Sequence, residues 1–72
     1  MKLNDLLQKH LTQWPEGVMV IVQDPNGDVR GMVKRESYSG QWFWAVGMVQ
    51  HNVELADDYE SAFVTEADWL QA

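Results

Sequence analysis

The segment Asp24-Pro25-Asn26-Gly27-Asp28, set between two apolar runs, constrains the fold of this chain more than any other. Proline presets the first central position of a type I turn, and Gly27 tolerates the left-handed conformation that a bulge after this turn requires. The flanking runs, which include Val18–Val22 before the turn, are rich in β-branched residues. The sequence therefore predicts an antiparallel β-hairpin with Val18–Val22 as its first strand.

The turn also predicts the register of the hairpin. If Asp24 lies opposite Asp28, the pairs are Val22 with Arg30, Val20 with Met32, and Val18 with Lys34. The other face then carries an apolar set, in which Gln23 is the one polar residue: Met19, Ile21, Val29, Gly31 and Val33. We expect an N-terminal helix to cover this second face.

An N-terminal helix is predicted from apolar residues that recur at three- and four-residue steps, namely Leu3, Leu6, Leu7, Leu11 and Trp14. It should span about residues 4–13, with Asn4 or Asp5 at its N-terminus. The segment Trp14-Pro15-Glu16-Gly17 ends it, because proline lacks the N–H donor and glycine favours a turn.

The second half of the chain adds two strands and a short helix. Gln41–Val49 is enriched in aromatic residues and predicts a third strand, and Ser61–Val64 predicts a short fourth one. Residues 50–60 are polar and acidic, as in a surface connection. Thr65 with Asp68 three residues later forms a capping-box pattern for a C-terminal helix of about two turns, whose Trp69 and Leu70 should dock on the sheet.

The predicted fold class is therefore α+β, in the order α-β-β-β-β-α. A chain of 72 residues supports one hydrophobic core, so residues 1–72 form a single domain. The N-terminal helix packs on a mostly antiparallel three- or four-stranded sheet, and the short C-terminal helix lies near an edge or on the other face.

Charge and composition favour a protein partner over other ligands. Eleven acidic against five basic residues give a net charge of −6, which opposes binding to nucleic acids and anionic membranes. The chain has no cysteine, and no apolar run approaches the roughly 18 residues of a membrane span. We expect a small acidic cytoplasmic protein that binds a protein partner or self-associates, with no cofactor.

No motif predicts catalysis or metal binding. Asp24, Asn26 and Asp28 are explained by turn chemistry, because Gly27 is misplaced for a calcium loop. A small hydrolase-like enzyme that uses His51 with Asp57 or Asp58 is the weaker alternative, and we assign no catalytic, cofactor-binding or metal-binding residue.

The aromatic strand around Trp42, Phe43 and Trp44 is the most site-like feature. Aromatic strands ordinarily fill cores, but this one could form a protein-binding surface or, with nearby basic residues, a platform for single-stranded nucleic acid. Only one helix is long enough to cover a whole face of the sheet, so part of the other face needs another cover. We favour the alignment of the third strand that puts both tryptophans there, because Phe43, Ala45 and Gly47 leave room for a helix opposite.

This second face predicts the residues that bind a partner. An aromatic and methionine patch with basic neighbours has the composition of a binding hot spot. The residues we assign to it are Trp42, Trp44, Met32, Arg30, Lys34 and Val20. Val18 and Val22 are expected beside them.

Four segments carry a resemblance to a known class of proteins: Trp14-Pro15-Glu16-Gly17, the Asp24–Asp28 turn, the strand around Trp42–Trp44, and Val64-Thr65-Glu66-Ala67-Asp68-Trp69. Together they resemble small uncharacterised accessory proteins of tailed bacteriophages and prophages. The resemblance covers about a third of the chain, and it brings no functional residues with it. It implies a host-directed modulator that binds a bacterial protein and does not catalyse a reaction.

Overall fold

A computed structural model describes all residues, 1–72, as an α+β fold. The elements are α1 (Leu3–His10), β1 (Val20–Gln23), β2 (Val29–Glu36), β3 (Trp42–Gln50) and α2 (Glu66–Gln71). The strands form one antiparallel sheet in the order β1-β2-β3. The predicted class is thus confirmed, with three strands in the sheet.

The core lies between α1 and one face of the sheet. Leu3, Leu6 and Leu7 of α1 are fully buried, and Ile21 and Val29 of the sheet are buried with them. Removing such aliphatic side chains from water is the main contribution to the stability of a domain this small. The face that the sequence assigned to the helix is therefore the face that α1 covers.

Helix α1 begins at Leu3, one residue before the predicted start, and ends at His10 rather than near residue 13. Neither Asn4 nor Asp5 is its N-cap. The Leu3 N–H donates instead to Asp58 Oδ1 at 2.8 Å. A carboxylate from a distant loop thus satisfies one of the free N–H groups at the positive end of the helix.

The β1–β2 hairpin has the predicted turn. The N–H groups of Asp24 and Gly27 donate to the carbonyls of Asp28 and Asp24, at 2.8 and 2.9 Å, and Gly27 has a φ of 93°. The predicted pairs of Val22 with Arg30 and Val20 with Met32 are both present.

The predicted pair of Val18 with Lys34 is wrong, because a β-bulge precedes β1. The N–H of Met19 donates to the Met32 carbonyl at 2.8 Å, although Met32 is already the partner of Val20. Two residues opposite one reverse the alternation of side chains. Val18 consequently turns into the core on the α1 side, whereas Met19 is exposed.

Strand β3 pairs with β2 along its whole length, with a second irregularity at Gly47. Met32 faces Val46 and Gly31 faces Met48, so Gly47 is the extra residue. A side chain at Gly47 would collide with Val33, which explains the glycine. Lys34 faces Trp44, and this register confirms the alignment in which the tryptophans lie on the side opposite α1.

The predicted fourth strand, Ser61–Val64, is wrong. Asp58 accepts hydrogen bonds at its carbonyl from the N–H groups of Ser61 and Ala62, at 3.1 and 2.9 Å, so a turn occupies the start of this segment. Only Val64 contacts the sheet edge, where it exchanges two backbone hydrogen bonds with Ile21. The segment contributes a single bridge to β1.

Helix α2 has the predicted capping box but not the predicted position. The Thr65 hydroxyl accepts from the Asp68 N–H, and the Asp68 carboxylate accepts from the Thr65 N–H, both at 3.2 Å. Trp69 contacts α1 instead of the sheet: its indole N–H donates to the Leu7 carbonyl, and its ring lies 6.2 Å from that of Trp14. The prediction that Trp69 and Leu70 dock on the sheet is wrong, and Leu70 is exposed.

Gln23 fixes the connection that leads from β3 back to β1. Its buried amide donates to the carbonyls of Gly27 and Glu54, at 3.0 and 2.7 Å, and its carbonyl accepts from the Ala56 N–H at 2.8 Å. Val53 and Ala56 of this connection enter the core. The single polar residue on the covered face thus holds residues 51–60 in place.

Candidate protein-binding face

The side of the sheet opposite α1, here named the tryptophan face, is mostly apolar and carries a few charged residues on β2. The register assigns its residues, since partners in antiparallel pairs share a face. Phe63 joins them, because Val64 points into the core and its neighbour therefore points the other way. The apolar members are Val20, Val22, Met32, Trp42, Trp44, Val46, Val49 and Phe63, the basic ones are Arg30 and Lys34, and the acidic one is Glu36, the partner of Trp42.

No part of the chain covers the tryptophan face. Trp42 is 61% exposed, Trp44 52% and Phe63 70%. Helix α2 lies against α1 on the opposite side of the sheet, and residues 51–60 run past the Asp24–Asp28 turn. The two indoles are therefore not part of the core of the single chain.

A groove of about 370 Å³ runs along this face. Its lining is entirely hydrophobic and comes from four separate segments of the chain: Val20 and Val22 of β1, Met32 of β2, Trp44 of β3, and Phe63. Methionine and aromatic side chains are common in surfaces that receive a protein partner, because they offer a large and adaptable contact area. The groove is lined on one side by Trp44 and on the other by Phe63.

The two basic residues of the tryptophan face, Arg30 and Lys34, differ in the contacts that their charged groups make within the chain. Arg30 Nε forms an ion pair with Asp24 Oδ2 within the hairpin. The Lys34 ammonium lies over the Trp44 ring, 5.5 Å from its centroid, in a cation–π contact. Lys34 thus lies against the face of the indole, and its side chain is exposed.

All six residues assigned from the sequence lie together on this face: Trp42, Trp44, Met32, Arg30, Lys34 and Val20. Val22 also lies there, but Val18 does not, because of the bulge at Met19. Sequence reasoning missed Phe63, which it had placed in a fourth strand. No sequence signal places Phe63 on this face, because its position depends on the bridge between Val64 and Ile21.

The residues of the hydrolase-like alternative are not brought together. His51 Nδ1 lies 3.0 Å from Asp28 Oδ1, whereas Asp57 contacts the Met1 ammonium and Asp58 accepts from the first turn of α1. The hydrogen bond from His51 is the main cause that lowers the pKa of Asp28 below its usual range, and the His51 charge and Asn26 add to it. This pair and the two loop carboxylates link segments of the fold.

A metal-binding cluster, a membrane-spanning helix and a single aromatic platform are all absent from the structure. No group of three or more His, Asp or Glu side chains is placed to hold a metal ion. Neither helix has the length and hydrophobicity to cross a bilayer. The three neighbouring aromatic residues do not form one platform, because Phe43 pairs with Arg35 on the opposite face from Trp42 and Trp44.

None of the family models, curated proteins or solved structures compared with this chain matches it.

Proposed function

We propose that this chain is a non-enzymatic protein-binding module and that the tryptophan face is its binding surface. The observation that carries the proposal is the exposure of Trp42 and Trp44 beside an entirely apolar groove. Monomeric soluble proteins rarely leave such a contiguous patch in water. Tryptophan is among the residue types most enriched at the positions that dominate binding energy.

The resemblance to phage and prophage accessory proteins supports a bacterial protein as the partner and the bacterial cytoplasm as the setting. The chain has no cysteine, so its fold needs no oxidising compartment. Binding would bury the groove, with Trp44 and Phe63 as its two walls, and the charge of Lys34 favours an acidic group on the partner. No group of the chain is required to react.

A pair of alanine variants on the same strand tests this assignment. Trp44→Ala removes one wall of the groove, whereas Phe43→Ala removes a similarly exposed aromatic side chain from the opposite face. Captured proteins from a bacterial lysate are quantified by mass spectrometry for the wild type and both variants. We expect Trp44→Ala to lose specific partners at least tenfold, an effect of about 1.4 kcal/mol or more, and Phe43→Ala to retain them.

Two results would contradict the proposal. Equal losses with both variants would show that the tryptophan face is not the surface involved. Quenching of tryptophan fluorescence by single-stranded oligonucleotides, lost in Trp44→Ala, would assign the face to nucleic acid instead. Thermal melting of each variant serves as the control, because side chains this exposed should leave stability nearly unchanged.

A further inference from the structure

Strand β3 forms an outer edge of the sheet, and its backbone has no partner there. The opposite edge, at β1, is partly covered by the bridge to Val64. No segment pairs with the outer side of Trp42–Gln50, although it is the longest strand in the sheet. A row of free N–H and C=O groups is a template for another strand.

The hydrogen-bonding pattern identifies which backbone groups face outward. The Ser37 N–H donates to the Gln41 carbonyl at 2.8 Å, and in an antiparallel ladder bonded and non-bonded pairs alternate from that point. Phe43 and Ala45 therefore bond to β2. Trp42, Trp44 and Val46 direct their N–H and C=O groups outward, without interruption until the irregularity at Gly47.

Between Trp42 and Val46, before the irregularity at Gly47, strand β3 lacks the residues that keep natural edge strands apart. It contains no charged residue and no proline, and its side chains are exposed on both faces. Edge strands of monomers normally carry lysine, proline or an inward-pointing charge to prevent pairing. In Trp42–Val46, no charge or proline opposes the approach of a second strand.

The distribution of charge allows a second copy of this chain to approach β3, although the chain as a whole is acidic. Residues 1–50 contain equal numbers of acidic and basic side chains, so residues 51–72 carry the whole net charge of −6. The latter residues return to the β1 side, where Val64 bridges Ile21. When two copies pair through β3, their acidic segments, residues 51–72, lie at opposite ends of the joined sheet. The two β2 strands, which carry Arg30, Lys34 and Arg35, lie between these segments and the new contact.

We propose that β3 pairs antiparallel with β3 of a second copy and joins the two three-stranded sheets into one. The register that uses all three outward residues places Trp44 opposite its counterpart and Trp42 opposite Val46. Each such pair exchanges two backbone hydrogen bonds, and the aromatic cross-strand contacts add to them. The two-fold axis is perpendicular to the sheet, so both tryptophan faces lie on the same side and form one continuous surface.

Sedimentation equilibrium of the wild type and three variants tests the pairing. The wild type should have twice the mass of the 8.3 kDa chain. Val46→Pro removes an outward N–H, a position where an edge strand tolerates proline, and should sediment as a monomer. Val46→Thr keeps this N–H and should remain dimeric, as should Val22→Lys, which places a charge on the tryptophan face at the opposite edge of the sheet.

Amide hydrogen exchange of the wild type provides a measurement that does not depend on a variant folding. At high concentration the outward amides of Trp44 and Val46 should exchange roughly tenfold or more slowly than on dilution, while those of Phe43 and Ala45 stay protected throughout. A monomeric wild type, or outward amides that exchange at the same rate at both concentrations, would overturn the proposal. A dimer that Val22→Lys dissociates and Val46→Pro does not would also overturn the proposal. That result would indicate that the two copies stack through their tryptophan faces and do not pair through β3.

The outcome is separable from that of the proposed function. A monomer that still captures a partner through Trp44 would leave the binding function standing and remove the dimer. If the wild type forms the β3-paired dimer and Trp44→Ala loses no captured partner, the dimer would stand and the proposed binding function would be removed.

Discussion

The sheet has two ends that differ in coverage although strand β2 runs through both. At the covered end, residues 20–32, Ile21 and Val29 are fully buried under α1. In the arm, residues 33–46, no side chain is buried. The arm contributes to an elongated molecule of 41 × 26 × 19 Å.

The comparison shows that the apolar sequence of a strand does not by itself determine whether that strand is buried in a chain this short. Strand β3 is as apolar as β1, yet the buried core includes Ile21 and Val29 of the covered end and no residue of the arm. A small domain has too little chain to bury every apolar strand on both faces. The aromatic residues that remain outside are the ones available for a partner.

The largest expected effect compares two β-branched residues, one in each region. Ile21→Ala should destabilise the protein by roughly 2–5 kcal/mol, because it leaves a cavity in the core. Val46→Ala, in the arm at 43% exposure, should cost about 1 kcal/mol or less. Chemical denaturation of both variants, at a concentration low enough to avoid association, measures the difference. Equal losses would mean that the arm is as covered as the other end.

The second prediction concerns Gln23, whose side chain links the covered end to residues 51–60. Gln23→Ala should cost about 2–3 kcal/mol, because the Glu54 carbonyl and the Ala56 N–H lose their hydrogen-bond partner. Gln50→Ala is the matched control, since its amide contacts only His10 at the surface, and it should change stability by less than about 0.5 kcal/mol. Similar denaturation midpoints for the two variants would contradict the role of Gln23.

The third prediction separates backbone strain from packing at two glycines. Gly17 and Gly27 both have positive φ, 77° and 93°, but only at Gly27 would a Cβ meet a neighbour, the Val53 carbonyl oxygen at 2.7 Å. Each alanine substitution should cost about 1–2 kcal/mol for the left-handed backbone. Gly27→Ala should cost more than Gly17→Ala, as measured by urea denaturation. The reverse order would indicate that Val53 moves away freely.

Prediction from the sequence succeeded where residues close together in the chain determine the local structure by themselves. The Asp24–Asp28 turn fixed the hairpin register, and Thr65 with Asp68 fixed the start of α2. It failed where tertiary contacts decide. The bulge at Met19 moved Val18 into the core, and the Asp58 turn shortened the predicted fourth strand to one bridge.

The candidate site was predictable for a related reason. Once the turn set the pairing, alternation along the strands brought Met32, Trp44 and Lys34 to one face. Phe63 was not predictable in the same way, because its place depends on a single backbone bridge between Val64 and Ile21. The docking of α2 on α1 likewise depends on hydrogen bonds from Asn4 and Gln8, which no periodicity indicates.

The smallest expected effect concerns the His51–Asp28 pair, which ties residues 51–60 to the turn at the surface of the covered end. The hydrogen bond from His51 lowers the pKa of Asp28 in the folded state. A carboxyl whose folded pKa is lowered stabilises the fold above its unfolded pKa, and this contribution is lost as the pH falls through the folded value. The loss therefore belongs to the acid range at and below the ordinary aspartate pKa of 3.8.

Carboxyl NMR titration of Asp28 measures this pair directly. In His51→Ala the pKa of Asp28 should rise towards its ordinary value, because the largest cause of the lowering is gone. In His10→Ala, which removes an exposed histidine that contacts Gln50, the pKa of Asp28 should not change. Since the pair is exposed, stability at neutral pH should differ little between the two variants. An unchanged Asp28 pKa in His51→Ala would show that the contact does not persist in solution, and that Gln23 and the buried Val53 and Ala56 hold this connection alone.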